Sequence, residues 1–383
     1  METIVVVRYD EIALKSPRVR ARNEALLVKN IKAMLDSKGI VYGDIRREWG
    51  RIFINGPGEG AVEAASRVFG VASVSLARTC KAEIGEIAEL AASMASRVKD
   101  KATFAIRARR AGVHPFTSRD VAITCGKAVE EKTGLQVNLT SPDLEVHVEV
   151  RQERAYIYTD VVEGVRGMPL GSQGRMVALI SGGIDSPVAA WLLMKRGCEI
   201  IPIYLNNDPF SDETTRQRAL ECIKVLSKWA PGHPFKVYEI PHGENLLAIL
   251  ERCERRLTCI LCRRMMYRAA TTVLEKEGAH GIITGASLGQ VASQTSENML
   301  VESQGIGYPI YHPLIGMDKL EITRLAMKIG TLTASTKPAT CCMAVPEKPA
   351  TRATPGEIKK AESKLEIEEM VKEMIENAKI TTI

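Results

Sequence analysis

Leu179-Ile180-Ser181-Gly182-Gly183-Ile184-Asp185-Ser186-Pro187 decides how the second half of this 383-residue chain folds. The apolar run Met176 to Ile180 reads as a buried strand, the glycines as a tight turn, and the residues up to Arg196 as a helix. Adjacent glycines let the backbone approach a ligand, and a helix start aims unpaired N–H groups at it, which suits an anion such as a phosphate chain. Ser186 is expected at the N-cap and Pro187 at the first helical position. An ordinary strand–helix turn would need only the Gly-Gly pair. Asp185 argues for more, because a carboxylate beside a phosphate cradle is unfavourable unless Mg²⁺ or the chemistry requires it. No lysine follows the glycines as a Walker loop demands.

Working outward, strands are expected at 176–180, 200–205, 235–240 and 281–284, with helices between them, including 215–229 and 263–277. Apolar strands alternating with crossover helices predict a doubly wound, mostly parallel sheet. Ligands of such sheets sit at the carboxyl ends of the strands, where 181–186 falls. The tail over 355–379 reads as one amphipathic helix whose charges form a solvated face.

Upstream, Gly164, Gly167, Gly171 and Gly174 around Pro169 form a hinge. Before it the pattern is mixed: a strand at 3–8, a helix at 18–37, and strands at 41–45 and 51–54. A helix at 61–69, a strand at 72–77 and a helix at 84–99 follow. Next come a strand at 103–110 and a helix at 119–132 closed by Gly134. Then Leu144, Val146, Val148 and Val150 alternate with charged residues, and 154–162 supplies the hairpin partner. The divisions expected are 1–58, 59–165 and 172–383.

Composition bounds the function. At 45% hydrophobic and 26% charged, with no apolar run near the ~20 residues of a membrane span and no signal-peptide pattern, a cytoplasmic globular protein is expected. Nine cysteines without regular spacing do not resemble a secreted disulfide framework. The net charge is +6, and Lys and Arg outnumber Asp and Glu over 1–171. Arg107, Arg109 and Arg110 make a dense basic strand end, with Lys101, His114 and Arg119 near in sequence. That arrangement suits RNA phosphates or, more plainly, a charge-protected strand edge. Only 5% aromatic content speaks against a base-stacking platform.

Ser-Gly-Gly-x-Asp-Ser resembles the pyrophosphate loop of enzymes that split ATP into AMP and pyrophosphate. LISGGIDSPVAAWLLMKRG at 179–197, RRMMYRAA at 263–270, ITGASLGQVASQT at 283–295 and HPLIGMDKLEITRLAMKIGT at 312–331 together resemble the tRNA 4-thiouridine synthetases, or tRNA sulfurtransferases. FAIRARRAGVHPFTSRDVA at 104–122, with Pro142-Asp143, looks like a THUMP RNA-binding domain. The resemblance implies an α/β chain: an N-terminal ferredoxin-like α+β domain, a THUMP α/β domain, and a doubly wound pyrophosphate-loop domain of the adenine nucleotide alpha hydrolase type. The family adenylates the C4 oxygen of uridine 8 in tRNA and then substitutes sulfur for AMP.

Carried over residue by residue, Asp185, Lys319 and Cys342 match catalytic positions. Asp185 would organise Mg²⁺, Lys319 would stabilise phosphoryl charge, and Cys342 would handle sulfur. Leu179, Ile180, Ser181, Gly182, Gly183, Ser186, Tyr204, Leu205, Arg263, Gly285 and Gln294 match nucleotide positions. Taken without the resemblance, Tyr204 and Leu205 read as core strand and Lys319 as a first-turn surface lysine. The partners implied are tRNA, a sulfur donor (inorganic sulfide or a persulfide carrier protein), no membrane, and an open option of a homodimer. Some relatives also serve thiamine thiazole synthesis.

Cys259-Ile-Leu-Cys262 is a CxxC at a helix entrance, and Cys341-Cys342 lies downstream. The spacing to Pro349 and Arg352 favours Cys342 as the family cysteine. Many bacterial relatives carry a rhodanese domain after the catalytic one, for which Ile383 leaves no room. Relatives without it pair a CxxC with the downstream cysteine on an iron–sulfur cluster, so Cys259, Cys262 and Cys342 are the expected ligands. A zinc site, with Cys341 as a fourth ligand, and a redox dithiol stay open. Cys80, Cys125, Cys198, Cys222 and Cys253 read as packing residues. The rival functions are a small-molecule amidating ligase, a THUMP methyltransferase (whose glycine-rich methyl-donor loop is missing) and a non-catalytic RNA-binding protein.

Overall fold

A computed structural model describes residues 2–340 and 342–383, and the chain divides into two compact units after Met168. The first unit runs β1 (Thr3–Arg8), α1 (Pro17–Ser37), β2 (Ile45–Glu48), β3 (Arg51–Asn55), α2 (Ala61–Ser66) and β4 (Ser73–Lys81). It continues with α3 (Ile84–Ala95), β5 (Thr103–Arg110), α4 (Ser118–Thr133), β6 (Gln136–Val137), β7 (Leu144–Val150), β8 (Arg154–Tyr158) and β9 (Val162–Glu163). All nine strands join one sheet in the order β2-β3-β1-β4-β8-β7-β5-β6, with β9 beside β4. β4 is the shared strand, bonded to β1 on one side and to β8 on the other.

The alternation read in the sequence explains the layering. Val5, Val7, Ile52, Ile54 and Val74 meet Leu27, Ile31, Ala61 and Ala65 in one core. Phe104, Ile106, Val146, Val148 and Ile157 meet Ile87, Val121 and Cys125 in a second. Residues of opposite parity face the other way, and the register sets Arg8 beside Arg51, Arg107 beside His147, and Arg109 beside Glu149. That second face combines these basic residues with a smaller apolar cluster of Ile4, Val6, Phe53, Ala77, Tyr156 and Tyr158.

Several boundaries differ from expectation. The strand expected at 41–45 begins only at Ile45, because Val41 and Gly43 hydrogen-bond Gly58 and Asn55 outside any ladder. The helices expected at 61–69 and 84–99 stop at Ser66 and Ala95. β4 extends to Lys81 because β8 pairs with its second half. The hairpin partner breaks at Tyr158, and Val162–Glu163 turns aside to β4.

The second unit contains β10 (Arg175–Leu179), α5 (Asp185–Lys195), β11 (Glu199–Asn206), α6 (Glu213–Ser227), β12 (Lys236–Pro241), α7 (Gly243–Arg252), α8 (Thr258–Glu277) and β13 (Ile282–Ile283). After these come α9 (Ser296–Ser303), β14 (Ile310–Tyr311), α10 (Lys319–Ile329), α11 (Leu332–Ser335), α12 (Pro355–Glu362), α13 (Ile367–Glu376) and β15 (Lys379–Thr382). The sheet order is β14-β13-β10-β11-β12-β15, parallel except for β15. The doubly wound expectation holds.

The tail does not form the single amphipathic helix expected at 355–379, although most of its charges are solvent-facing as expected. It breaks after Glu362, and Ile358, Ala361, Leu365, Met370 and Met374 enter the main core with Tyr238, Leu261 and Met265. The apolar stripe was a packing face. β15 then pairs antiparallel with β12 and completes the sheet edge. Among the described residues no helix is long and apolar enough to cross a membrane.

Candidate active site

β10 delivers the chain to the loop 180–184, and α5 leaves it from Asp185. The helix starts two residues earlier than expected, with Ile184 at the N-cap, so Ser186 is not its cap. Instead the Ser186 hydroxyl turns back into the loop, accepting the Ser181 N–H at 2.8 Å and lying 3.0 Å from the Ser181 hydroxyl. Pro187 still costs nothing inside the first turn, whose amides have no helical partner. The two glycines differ in purpose. A Cβ on Gly182 would stand 2.9 Å from Arg218 Cβ and 3.0 Å from the Thr215 carbonyl, so its bareness admits α6 rather than a ligand. A Cβ on Gly183 would meet nothing nearer than Ser181 Oγ at 3.4 Å.

Asp185 is bound from two other elements. Lys319, the first residue of α10, places Nζ 2.6 Å from Oδ1, and Gln290 donates to Oδ2 at 2.8 Å. A capping box between Asp318 and Glu321 fixes the start of α10, so the lysine springs from a rigid turn. Gly285 lets this assembly close: a Cβ there would stand 2.6 Å from the Ser186 amide nitrogen and 2.9 Å from the Asp185 carbonyl carbon.

Beside the loop, at the carboxyl ends of β10 and β11, lies a cavity of about 240 Å³. Leu179, Ile180, Ser181, Tyr204 and Leu205 line it together with Asn207, Thr215, Met266 and Cys342. Apolar walls with a few polar groups suit a planar heterocycle. Burial pushes the Tyr204 phenol up to about 12, so it stays neutral. Arg263, Gly285 and Gln294 do not line this cavity. Arg263 donates to both oxygens of Glu302, whose carboxyl burial raises to about 6 despite that arginine. Gln294 lies in the turn after β13, where its carbonyl accepts the Gly289 N–H.

Cys259 and Cys262 fall in the first turn and a half of α8, which begins at Thr258 rather than at the expected 263. They therefore share a helix face. Burial is the main cause that raises both thiols, with a smaller upward push from Cys342 on each. Cys262 Sγ also lies 3.3 Å from Nε2 of buried His242, an imidazole that desolvation holds neutral, with a pKa of about 4. Among the described residues no group of three or more His, Cys, Asp or Glu is drawn into the shell of a single ion. Cys341 lies outside the described residues.

On the first unit, Arg107 is held by Glu145 at 2.7 Å, Arg110 donates to the Gly112 carbonyl, and Arg109 is exposed. Arg107 and Arg109 line a cleft of about 560 Å³ with Arg119 at the start of α4.

Gln290, Glu302 and His242 escaped the reading of the sequence. Nothing in the spacing separates Gln290 from Gln294, and the partners of Glu302 and His242 are remote in the chain.

A phosphate-type loop at the end of a parallel sheet, a lysine and a carboxylate at its mouth, and a cavity beside it define a nucleotide-binding α/β domain of the pyrophosphate-loop kind. The relatives of the chain narrow this further. The family described as thiamine biosynthesis protein (ThiI) matches residues 171–367, a THUMP domain matches 81–160, and the ThiI ferredoxin-like domain matches 4–75. The probable tRNA sulfurtransferase of Methanosarcina acetivorans is 54% identical, covering 98% of this chain and 93% of its own length. That of Methanothermobacter thermautotrophicus is 38% identical over 99% and 98%. A crystal structure of a 4-thiouridine synthetase–RNA complex with bound ATP superposes with a TM-score of 0.90 at 30% identity, covering 100% of both chains. The chain belongs to the ThiI family of tRNA sulfurtransferases.

Proposed function

We propose that this protein uses ATP to exchange the C4 oxygen of uridine 8 in tRNA for sulfur, giving 4-thiouridine. The observation that carries the reading is the position of Cys342, which lines the cavity beside the phosphate-type loop. A sulfur group and an activation site thereby meet in one place. Residues 172–383 are the catalytic domain, and the segments 1–58 and 59–165 carry tRNA affinity, with Arg107, Arg109 and Arg110 on phosphates.

ATP lies with its base against Leu179, Ile180, Tyr204 and Leu205 and its phosphates over Ser181, Gly182, Gly183 and Ser186. The C4 oxygen attacks the α-phosphorus, its bond to the β-phosphate oxygen breaks, and pyrophosphate leaves. Lys319, aimed at the loop by Asp185, balances charge developing on the phosphoryl oxygens. Asp185 is the carboxylate that would hold Mg²⁺, which supplies further neutralisation of the phosphates. Sulfur then attacks C4 and AMP departs. Gly285 positions the loop by its close approach to the Ser186 and Asp185 backbone, while Arg263 and Gln294 stand outside the cavity lining.

Cys259, Cys262 and Cys342 would hold an iron–sulfur cluster, for which thiols are the appropriate donor chemistry. When bound, such a cluster supplies a site for inorganic sulfide, the donor proposed here in preference to a persulfide carrier. The reading places the protein in the cytoplasm, and the same sulfur handling would serve thiamine thiazole synthesis. The test is nucleoside analysis after incubation of anaerobically purified protein with unmodified tRNA, ATP and sulfide. 4-Thiouridine at position 8 and tRNA-dependent AMP formation are expected; ATP cleavage that ignores tRNA would refute the assignment.

A further inference from the structure

We propose that Trp49 is a base-stacking residue that captures an unpaired nucleotide of the tRNA. Its indole is 69% exposed, whereas Trp191 and Trp229 are buried. It occupies the two-residue turn between β2 and β3, followed by Gly50 at φ +75°. Three bonds fasten that turn. The Gly50 N–H donates to the Tyr9 hydroxyl at 3.1 Å, Arg51 donates to the Gly50 carbonyl at 2.7 Å, and Arg151 donates to the Trp49 carbonyl at 3.2 Å. A turn pinned on both sides presents its side chain at little entropic cost, as a binding anchor requires.

The surroundings are cationic. The Arg20 guanidinium lies 5.8 Å from the indole centroid and 3.9 Å from Glu24, and Arg46 pairs with Glu48. These two pairs balance, so the surplus comes from the arginines beyond them. Behind the turn, Arg8, Arg51 and Arg151 converge on the single carboxylate of Glu149 at 3.0, 2.8 and 3.8 Å. One carboxylate cannot neutralise three guanidiniums, so positive charge is left over beside an exposed aromatic face. Surplus charge favours a polyanion over a protein partner, and stacking selects the base. Bases within a duplex already stack on their neighbours, so only an unpaired one offers a free face.

The inference rests on tRNA being the substrate, and the experiment separates the two. Labelled tRNA is titrated against the full chain while intrinsic tryptophan emission is followed. Trp49 is the exposed indole, so emission should change on binding, and Trp49→Phe should abolish the change while keeping affinity within about threefold. Trp49→Ala should weaken binding roughly five- to hundredfold without altering the slope of log K against log salt, because stacking releases no counterions. Unchanged thermal melting shows that the variants fold. Wild-type affinity in Trp49→Ala, saturation without an emission change, or an equal emission change with a blunt RNA duplex overturns the stacking role. Emission that responds to a sulfur-carrier protein and not to tRNA overturns it in favour of a protein partner. A wild-type chain that fails to bind tRNA removes the premise itself.

Discussion

Asp185 carries opposite duties in one carboxylate. It holds Lys319 at 2.6 Å and Gln290 at 2.8 Å, and it stands at the first turn of α5 beside the phosphate cradle. Asp185→Asn keeps the shape but loses the charge that orients the lysine and would organise a metal. AMP formation should fall by a factor on the order of a hundred or more. Affinity for tRNA, measured by filter binding or anisotropy, should stay near wild type, and AMP formation at the wild-type rate would refute the role. Glu149 is a residue of stability rather than chemistry. Burial works to raise its carboxyl, but Arg51 and Arg8 outweigh burial and hold it at about 2 against an ordinary 4.5. A carboxyl depressed on folding stabilises the fold above its unfolded value and stops doing so as pH falls through its folded value. Stability on the order of 3 kcal/mol should therefore disappear between about pH 4.5 and 2. Denaturant melts across that range should show the loss in the wild type, and Glu149→Gln should flatten it.

At the level of elements, α8 does two jobs with one surface. Its entrance presents Cys259 and Cys262, while Ile260, Leu261 and Met265 anchor it in the core. Replacing either cysteine by Ala should remove iron, sulfide and thiolation together while leaving AMP formation largely intact. Cys341→Ala should do less harm. Stoichiometric zinc without iron in an anaerobic preparation would decide against the cluster. The turn after β13 is equally constrained. Gly285→Ala forces a Cβ against the Ser186 and Asp185 backbone, so ATP affinity should drop about tenfold or more in equilibrium binding, with tRNA affinity retained.

What was legible at this level follows from range. β5 and β7 were readable because a period of two is local, and the loop 181–186 because strand, turn, helix and acid are consecutive. The start of α5 was misplaced because a serine hydroxyl can cap a helix or bond back into its own loop, and only the fold selects. The tail reads as one helix because its amphipathic period continues on either side of the break after Glu362. β15 went unread because an edge strand is defined by its partner, β12, more than a hundred residues away. In the site, cavity-lining residues of β10 and β11 were within reach of motif reading, while His242 and Glu302 matter only through contacts that no spacing encodes.

Over the whole molecule, the proposed tRNA binding and the proposed chemistry are assigned to different ones of the two compact units. Arg109→Ala with Arg110→Ala should weaken tRNA binding and reduce its salt dependence by a little under one logarithmic unit per lost phosphate contact. ATP affinity should be unaffected. An unchanged slope would leave this strand end as a charged edge. The front unit has a further property in its shared β4. The family segments at 4–75 and 81–160 look like separable modules, yet the ladder between β4 and β8 stitches them into a single cooperative block. Cutting between them would leave two raw β-edges, each a template for adventitious pairing. Heat should consequently melt both modules in one calorimetric transition, and a fragment carrying either alone should precipitate instead of folding. Gene architectures that shuffle one without the other would first have to invent a new cover for the exposed ladder.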